Sequence, residues 1–503
     1  MKNFIRVFIF LFFLVMMQVL LSIYLDFTIV KYFSVFLTMS IIFFSIVIFL
    51  ENRNPTQTVA WLAVFSSVPF LGFVFYLMFG RNYRKQRMFR KKHIADMKTA
   101  QSIAERKLAT VEFMKTFSHE KANVMKLSRR LGNPISFASD TEVLTNGEIT
   151  FQEIKAAIEK AEHHIHLEYY IVRHDTLGQK LKELLIRKAK EGVEVRFLFD
   201  DVGSGALSSA YIKELSNNGV QTMSFNPVRM PILNSKVNFR NHRKIVVVDG
   251  EYGFVGGLNI GDEYLGKDEY FGFWRDTHLK ITGEAVRRLQ IIFLQDWLYM
   301  SNEKIELENY LPVCSTASDP QHGGVQIIAS GPDKRTTVIK DIFFSMITSA
   351  QKSVWIASPY FIPDEDILTG LKIAALSGVD VRLLVPGIAD HKIPFHASRS
   401  YFPVLLEAGV KIYEYAEGFM HSKIIIVDGE LASIGTANMD MRSFHLNFEV
   451  NAFLYQTKSI LKLQEDYMQD VENSNQIDHE EFHNRAYRKR IFESLARIIS
   501  PLL

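Results

Sequence analysis

The chain has 503 residues, 48% of them hydrophobic and 22% charged, with a formal net charge of +3. That length allows roughly two to four domains. The charged fraction is too high for a chain mostly embedded in lipid, the apolar fraction excludes global disorder, and a single cysteine, Cys314, excludes a disulfide-stapled secreted scaffold.

The charge is uneven along the chain. Residues 1–80 carry Lys2, Arg6, Lys31 and Arg53 against Asp26 and Glu51, a local net of +2. Residues 81–92 hold seven cations and no acid, which leaves −6 for residues 93–503. Within the head, Val7 to Leu25 and Tyr32 to Leu50 each approach the ~20 apolar residues that cross a hydrocarbon core. Val59 to Phe79 is also uncharged but contains Ser66, Ser67, Pro69 and Gly72, so it reads as a kinked span or a re-entrant segment. A cleavable signal peptide over residues 1–25 is the weaker reading, because the apolar run is too long and no A-x-A-like site follows.

The basic collar at 81–92 predicts a cytoplasmic body on a multi-pass cell-membrane protein. Lys2 and Arg6 favour a cytoplasmic N-terminus and hence an even number of spans, so the count stays between two and three. The same collar is a contact strip for anionic lipid headgroups.

Residues 93–131 read as a linker helix. After Asn133-Pro134 the pattern becomes β/α alternation, the mark of an α/β fold. An internal repeat then governs the reading. Gly192-Val-Glu-Val-Arg-Phe-Leu-Phe199 matches Gly378-Val-Asp-Val-Arg-Leu-Leu-Val385, and His242-Arg-Lys-Ile-Val-Val-Val-Asp249 matches His421-Ser-Lys-Ile-Ile-Ile-Val-Asp428. Both copies continue to a glycine and an asparagine at equal spacing, Gly256 with Asn259 and Gly435 with Asn438.

In an extended strand, residues i and i+2 face the same way, so His and Lys project together. The Asp-Gly pairs end the strand in a hairpin turn. The glycine on the return strand is expected to leave room for a ligand. A lone His-x-Lys is usually a solvated strand end, but five residue types recurring at one spacing in two copies are not coincidence.

Smaller features carry less. His163, His164 and His166 invite a metal-site reading, but no Cys or acidic pattern completes a site, and satisfied strand histidines fit better. Cys314 falls between the copies as a bystander. Arg485 to Leu503 has apolar residues at helical spacing beside Arg485, Arg488, Lys489 and Arg490. It suits the membrane surface or packing on the body.

The two H-x-K-x4-D-x6-G-x2-N segments resemble those of the phospholipase D superfamily. The flanks Asn238-Phe-Arg-Asn-His-Arg-Lys244, Phe273-Trp-Arg-Asp-Thr-His278 and Gly418-Phe-Met-His-Ser-Lys423 resemble bacterial cardiolipin synthases, as does Glu51-Asn-Arg-Asn-Pro55 ahead of the Trp61–Gly80 stretch. The resemblance covers nearly the whole chain. It implies an α/β fold of two phospholipase D-like domains, mixed sheets flanked by helices about a pseudo-twofold axis. The expected organisation is a membrane region over 1–80, a basic and helical linker over 81–132, and repeats over 133–315 and 316–503, the second ending in an amphipathic helix.

A phosphodiester is cleavable without a metal or other cofactor when one group attacks phosphorus, another protonates the leaving oxygen and fixed cations hold the equatorial oxygens. The histidines supply attacker and acid, Lys244 and Lys423 the charge, and Asn259 and Asn438 hydrogen bonds to phosphate. The resemblance implies His242 as nucleophile and His421 as general acid, then base. Asp249 and Asp428 belong to the catalytic motif, although their place at tight turns suits structure better. The carboxylates that orient the histidines are expected at Asp276 and Glu449.

The implied reaction joins two phosphatidylglycerols in the membrane into cardiolipin and glycerol. A hydrolase of the same superfamily is the first rival. A nuclease is disfavoured by the acidic body, so no nucleic-acid partner is expected. A non-enzymatic lipid scaffold is disfavoured by two intact motifs. Oligomeric state is not legible.

Overall fold

The computed structural model describes Tyr32, Met39, Ile42, Ile46, Trp61, Phe89 and Lys92 singly, and residues 113–131, 134–228, 235–301, 303, 305–311, 323–334 and 336–499. The three apolar spans, most of the collar and Cys314 therefore lie almost wholly outside the described residues. Among the described residues no helix is long and apolar enough to cross a membrane. The chain divides into a unit over Met1–Tyr83 with Leu502 and one over Arg84–Pro501 with Leu503. Both sheets and the cleft between the motifs belong to the second unit.

The first copy contributes β1 (Ser139–Thr145), β2 (His164–Tyr169), β3 (Glu194–Asp200), β4 (Gln221–Phe225), β5 (Ile245–Val248), β6 (Tyr252–Gly256), β7 (Phe273–Arg275) and β8 (Thr277–Gly283). All but β7 form one seven-stranded sheet, ordered β1-β8-β6-β5-β2-β3-β4. β2, β3 and β4 are parallel, joined by crossover helices, whereas β5, β6, β8 and β1 pair antiparallel.

The second copy contributes β9 (Gly324–Ser330), β10 (Ser353–Ala357), β11 (Phe361–Ile362), β12 (Asp380–Pro386), β13 (Lys411–Tyr415), β14 (Gly418–Met420), β15 (Ile424–Val427), β16 (Leu431–Gly435), β17 (Met439–Asp440), β18 (Glu449–Tyr455) and β19 (Ser474–Gln476). Its main sheet runs β19-β13-β12-β10-β15-β16-β18-β9. Strand for strand this is the first sheet again, with β19 added at the edge. The duplication read from sequence is thus a duplication of topology.

The repeated glycines Gly192 and Gly378 explain themselves here. Each follows a crossover helix with φ of 94° and 90°, the left-handed helix end at which glycine carries no Cβ penalty. The motif runs Ile-Val-Val-Val and Ile-Ile-Ile-Val are fully buried as β5 and β15. Ile245, Val247 and Val255 of one sheet share a core with Ile424, Ile426 and Ile434 of the other, so the sheets pack through their motif strands.

Five helices matter below: α1 (His119–Arg130), α2 (Val286–Ser301), α3 (Lys392–Arg399), α4 (Lys458–Glu472) and α5 (Tyr487–Ile499). Of the expected linker helix over 93–131 only residues 113–131 are described; a turn over 115–118 precedes α1, which buries Val124 and Met125. The amphipathic C-terminal helix α5 packs on α3, through Phe492 against His396 at 5.1 Å and Glu493 near Arg399. Its other face exposes Tyr487, Ile491, Leu495 and Ile498.

Two members of the histidine cluster share one glutamine, while His166 Nε2 is buried 3.5 Å from Glu194 without a hydrogen-bond partner among the described residues. Gln290 of α2 lies 3.0 Å from His164 Nε2 and 2.7 Å from His166 Nδ1. His166 stacks on Phe293 at 4.5 Å, and burial pushes it down to about 3.

Candidate active site

Each motif histidine sits just before its buried strand, where the chain crosses to the other copy. The His242 N–H donates to the Phe448 carbonyl at 2.9 Å, and Phe448 N–H donates to Arg240 O at 2.9 Å. The second histidine repeats this inversely: β14 pairs parallel with β7, and His421 N–H donates to Arg275 O at 2.7 Å. The copies therefore exchange backbone hydrogen bonds at both histidines, which fixes the rings relative to each other.

The orienting carboxylates come from the opposite copy in each case. His242 Nδ1 is 3.0 Å from both Glu449 oxygens, and His421 Nδ1 is 2.6 Å from Asp276 Oδ2. Glu449 is further held by Thr436 Oγ1 at 2.5 Å and Asn447 Nδ2 at 3.2 Å, and Asp276 by Thr277 N–H at 2.8 Å. Burial raises both carboxyls, but the facing histidines and lysines more than reverse it and hold both below their ordinary range. An ionised carboxylate only accepts, so each Nδ1 carries the proton and each Nε2 presents a lone pair. Burial, with the nearby lysines, lowers both histidines to about 4 against the attraction of their carboxylates.

Lys244 and Lys423 are fully buried and donate to the main-chain oxygen of their own histidine, at 2.7 and 2.6 Å. Burial lowers both; Lys423 falls to about 8 and Lys244 falls well below its ordinary value. Two ammonium groups gathered in one dry place are destabilised until an anion joins them.

A cleft of about 410 Å³ opens over this centre, lined by His242, His421, Asn259 and Asn438 among others. Asn259 is partly committed: its Oδ1 accepts from Ile171 N–H and its Nδ2 donates to Tyr264, both at 3.1 Å. Asn438 Oδ1 has no hydrogen-bond partner among the described residues.

Two sequence expectations change. Asp249 and Asp428, counted with the catalytic motif, lie at the far ends of β5 and β15. Asp249 accepts the N–H groups of Glu162, His163 and His164 at 2.7–2.9 Å. Asp428 accepts those of Gln351, Lys352 and Ser353 at 2.7–3.0 Å, and Lys121 of α1 at 2.8 Å. Both have positive φ, 53° and 54°. They pin the turn ahead of the neighbouring strand and take no part in the cleft. The glycines leave space for protein and not for ligand: a Cβ on Gly256 would lie 2.4 Å from His278 Nδ1, and one on Gly435 2.6 Å from Asn451 Cγ.

Sequence reasoning missed the cleft walls. Tyr170 meets His242 edge-on at 5.0 Å, and Trp274 lies 5.0 Å from His421. Tyr360 lines the same cleft and hydrogen-bonds Asp390. Arg442 reaches the wall four residues beyond Asn438 and donates to Asn238 O and Oδ1, both at 3.2 Å. The equivalent place beyond Asn259 is Glu263, which lines the same cleft and lies 3.6 Å from Arg173. Comparing the copies past the motif asparagine was the available signal.

With this geometry in place, comparison with known proteins is decisive. The family described as "Cardiolipin synthase, PLD-like domain" matches residues 154–297 and 343–471, which span both motifs. The chain belongs to this cardiolipin synthase family. A further family, "Phospholipase_D-nuclease N-terminal", matches residues 38–81. The cardiolipin synthase of Geobacillus kaustophilus is 61% identical over 472 residues, 94% of each chain. That of Halalkalibacterium halodurans is 59% identical over 94% of each. Cardiolipin synthase 1 of Bacillus cereus is 44% identical over 93% of each. Among solved structures, a phosphatidylserine synthase of Haemophilus influenzae shares the fold, with a TM-score of 0.58 at 15% identity over 76% of this chain and all of that one.

Proposed function

We propose that this cleft moves a phosphatidyl group from one phosphatidylglycerol to the terminal hydroxyl of a second, yielding cardiolipin and glycerol. The observation that carries the reading is the pair of crossed His–carboxylate couples flanking two buried lysines, in a chain with family relatives named for this activity along nearly its whole length.

His242 Nε2 attacks phosphorus while Glu449 holds the Nδ1 proton. The P–O bond to glycerol breaks, and His421 delivers a proton to the departing oxygen. In the empty cleft His421 is neutral; the phosphodiester's negative charge between Lys244 and Lys423 favours its charged form, so it takes up that proton as substrate binds. The lysines hold the phosphoryl oxygens through the transition state, aided by the Asn259 and Asn438 amides. In the second half, neutral His421 takes the proton of the second lipid's hydroxyl. The oxygen attacks phosphorus, the P–N bond breaks, and His242 is regenerated.

The apolar head holds the enzyme at the membrane as a multi-pass anchor with the body on the cytoplasmic side, and the outer collar cations attract anionic headgroups. The test is incubation of the purified full chain with glycerol-labelled phosphatidylglycerol in the presence of chelator. Equimolar cardiolipin and free glycerol are expected; phosphatidic acid alone would replace this reading with hydrolysis.

A further inference from the structure

The last collar cation does not face lipid. Lys92 is 1% exposed, and its Nζ lies 2.8 Å from Asp296 of α2. Phe89, one helical turn earlier and so on the same face, is fully buried among Phe239 at 5.5 Å, Phe448 at 5.3 Å and Tyr299 at 6.2 Å. Neither residue lines the cleft, yet both touch what backs it.

Two chains of contact lead from them to one histidine. Asp296 is shared: its other oxygen accepts from Arg243, the residue between His242 and Lys244. Arg243 spreads over three further anchors, donating to Glu449 O at 3.2 Å and Ser330 O at 3.1 Å while lying 5.5 Å over the Phe448 ring. Lys92 lies 5.7 Å over the same ring. Phe448 is also the residue whose carbonyl receives the His242 N–H, and Glu449 follows it. Burial alone would raise Asp296, but Arg243 and then Lys92 hold it down to about 2, so it stays ionised between two cations.

The arrangement is one-sided. In the second copy the residue between His421 and Lys423 is Ser422, bonded to Thr277 at 2.9 Å. The Asp276 side is backed instead by Arg275 on Asp470 of α4 at 2.7 Å. A disturbance at residues 89–92 therefore reaches one His–carboxylate couple and not the other.

We propose that Phe89 and Lys92 are positioning residues for the His242–Glu449 couple, so that these two side chains back the first copy's half of the cleft. The rate effect rests on the reading given under Proposed function; the placement of the ring does not.

The experiment compares the full-length chain with its Lys92→Met, Lys92→Arg and Phe89→Leu variants in proteoliposomes. Turnover is followed together with carbethoxylation of His242 and His421, resolved by peptide mass. Lys92→Met is expected to lower kcat about 10- to 100-fold at unchanged KM and to raise His242 modification severalfold relative to His421. Lys92→Arg should restore both. Phe89→Leu, a milder change that keeps an apolar plug, should shift the same ratio in the same sense. A wild-type ratio in Lys92→Met and Phe89→Leu, or equal change at both histidines, would overturn the proposal. An inactive wild-type chain would instead count against the transferase reading, and the modification ratio would still judge the placement.

Discussion

His242 Nδ1 lies 3.0 Å from both carboxylate oxygens of Glu449, a residue 207 positions away in the other copy. The inverse couple, His421 with Asp276, spans 145 positions at 2.6 Å. Neither copy holds a complete couple by itself, so the site exists only where the two sheets meet. Replacing either carboxylate by its amide keeps the shape and removes the charge that fixes the imidazole tautomer. Glu449→Gln and Asp276→Asn are each expected to lower kcat about 100-fold or more with little change in melting temperature. Wild-type turnover in either variant would dissolve its assigned role.

Protonation of His421 is linked to substrate. Its value near 4 in the empty cleft means that it is unprotonated at pH 7, whereas the proposed acid is charged once the anionic phosphodiester lies between the lysines. Binding of short-chain phosphatidylglycerol to a His242→Ala variant should therefore take up close to one proton more at pH 7 than binding to the same variant carrying His421→Gln, in which only the lysines can respond. Titration calorimetry in two buffers of different ionisation enthalpy reads this directly. Equal proton exchange with and without His421 would remove it as the acid.

The motif aspartates predict a stability effect without a chemical one. Asp249 takes three backbone N–H groups, and Asp249→Ala leaves them unpaired at a turn whose φ is positive. A loss of about 2–4 kcal/mol follows, seen as a lower denaturation midpoint. At a temperature where the variant is folded, kcat should stay near wild type.

His278 supplies a pH dependence with a definite sign. Burial lowers it to about 4 from 6.5, and neither ring nitrogen has a hydrogen-bond partner among the described residues. A depressed folded value means that its neutral form is preferred by the fold. This contribution is complete above pH 6.5 and lost as pH falls toward 4, at about 1.4 kcal/mol per unit. His278→Asn, which installs the residue found at the equivalent Asn451, should flatten the fall of melting temperature across that window. An unchanged slope would mean that His278 does not titrate as its burial implies.

The sequence carried the duplication plainly, because the His, Lys, Asp, Gly and Asn spacing is a one-dimensional pattern. It also contained Asp276 and Glu449 as candidates, since both follow the return strand. It did not contain their crossing: partners 207 and 145 positions apart are chosen by the exchange of hydrogen bonds between copies, which no local periodicity encodes. Gly256 was misread for a related reason. A glycine facing a site signals close approach of something, and spacing cannot tell a ligand from the His278 side chain. Lys92 was misread because a cation run beside an apolar segment has lipid-facing character on average, while one member of it sits on the same helical face as Phe89 and meets a buried acid. Arg442 lay beyond the motif, visible only as an opposite charge to Glu263 when the copies are aligned.

The most direct test of the whole account is trapping of the intermediate by rapid quench into mildly alkaline denaturant, because the P–N bond of a phosphohistidine hydrolyses in acid. The purified full chain is mixed with phosphatidylglycerol labelled in its phosphatidyl part, quenched within one turnover, digested and mapped by mass. A His421→Ala variant is run in parallel, to slow release of the group. The account predicts label on the peptide bearing His242, discharged to cardiolipin when fresh phosphatidylglycerol is added. Label on His421, or cardiolipin formed by wild type at full rate with no protein-bound phosphatidyl group at any time, would contradict it.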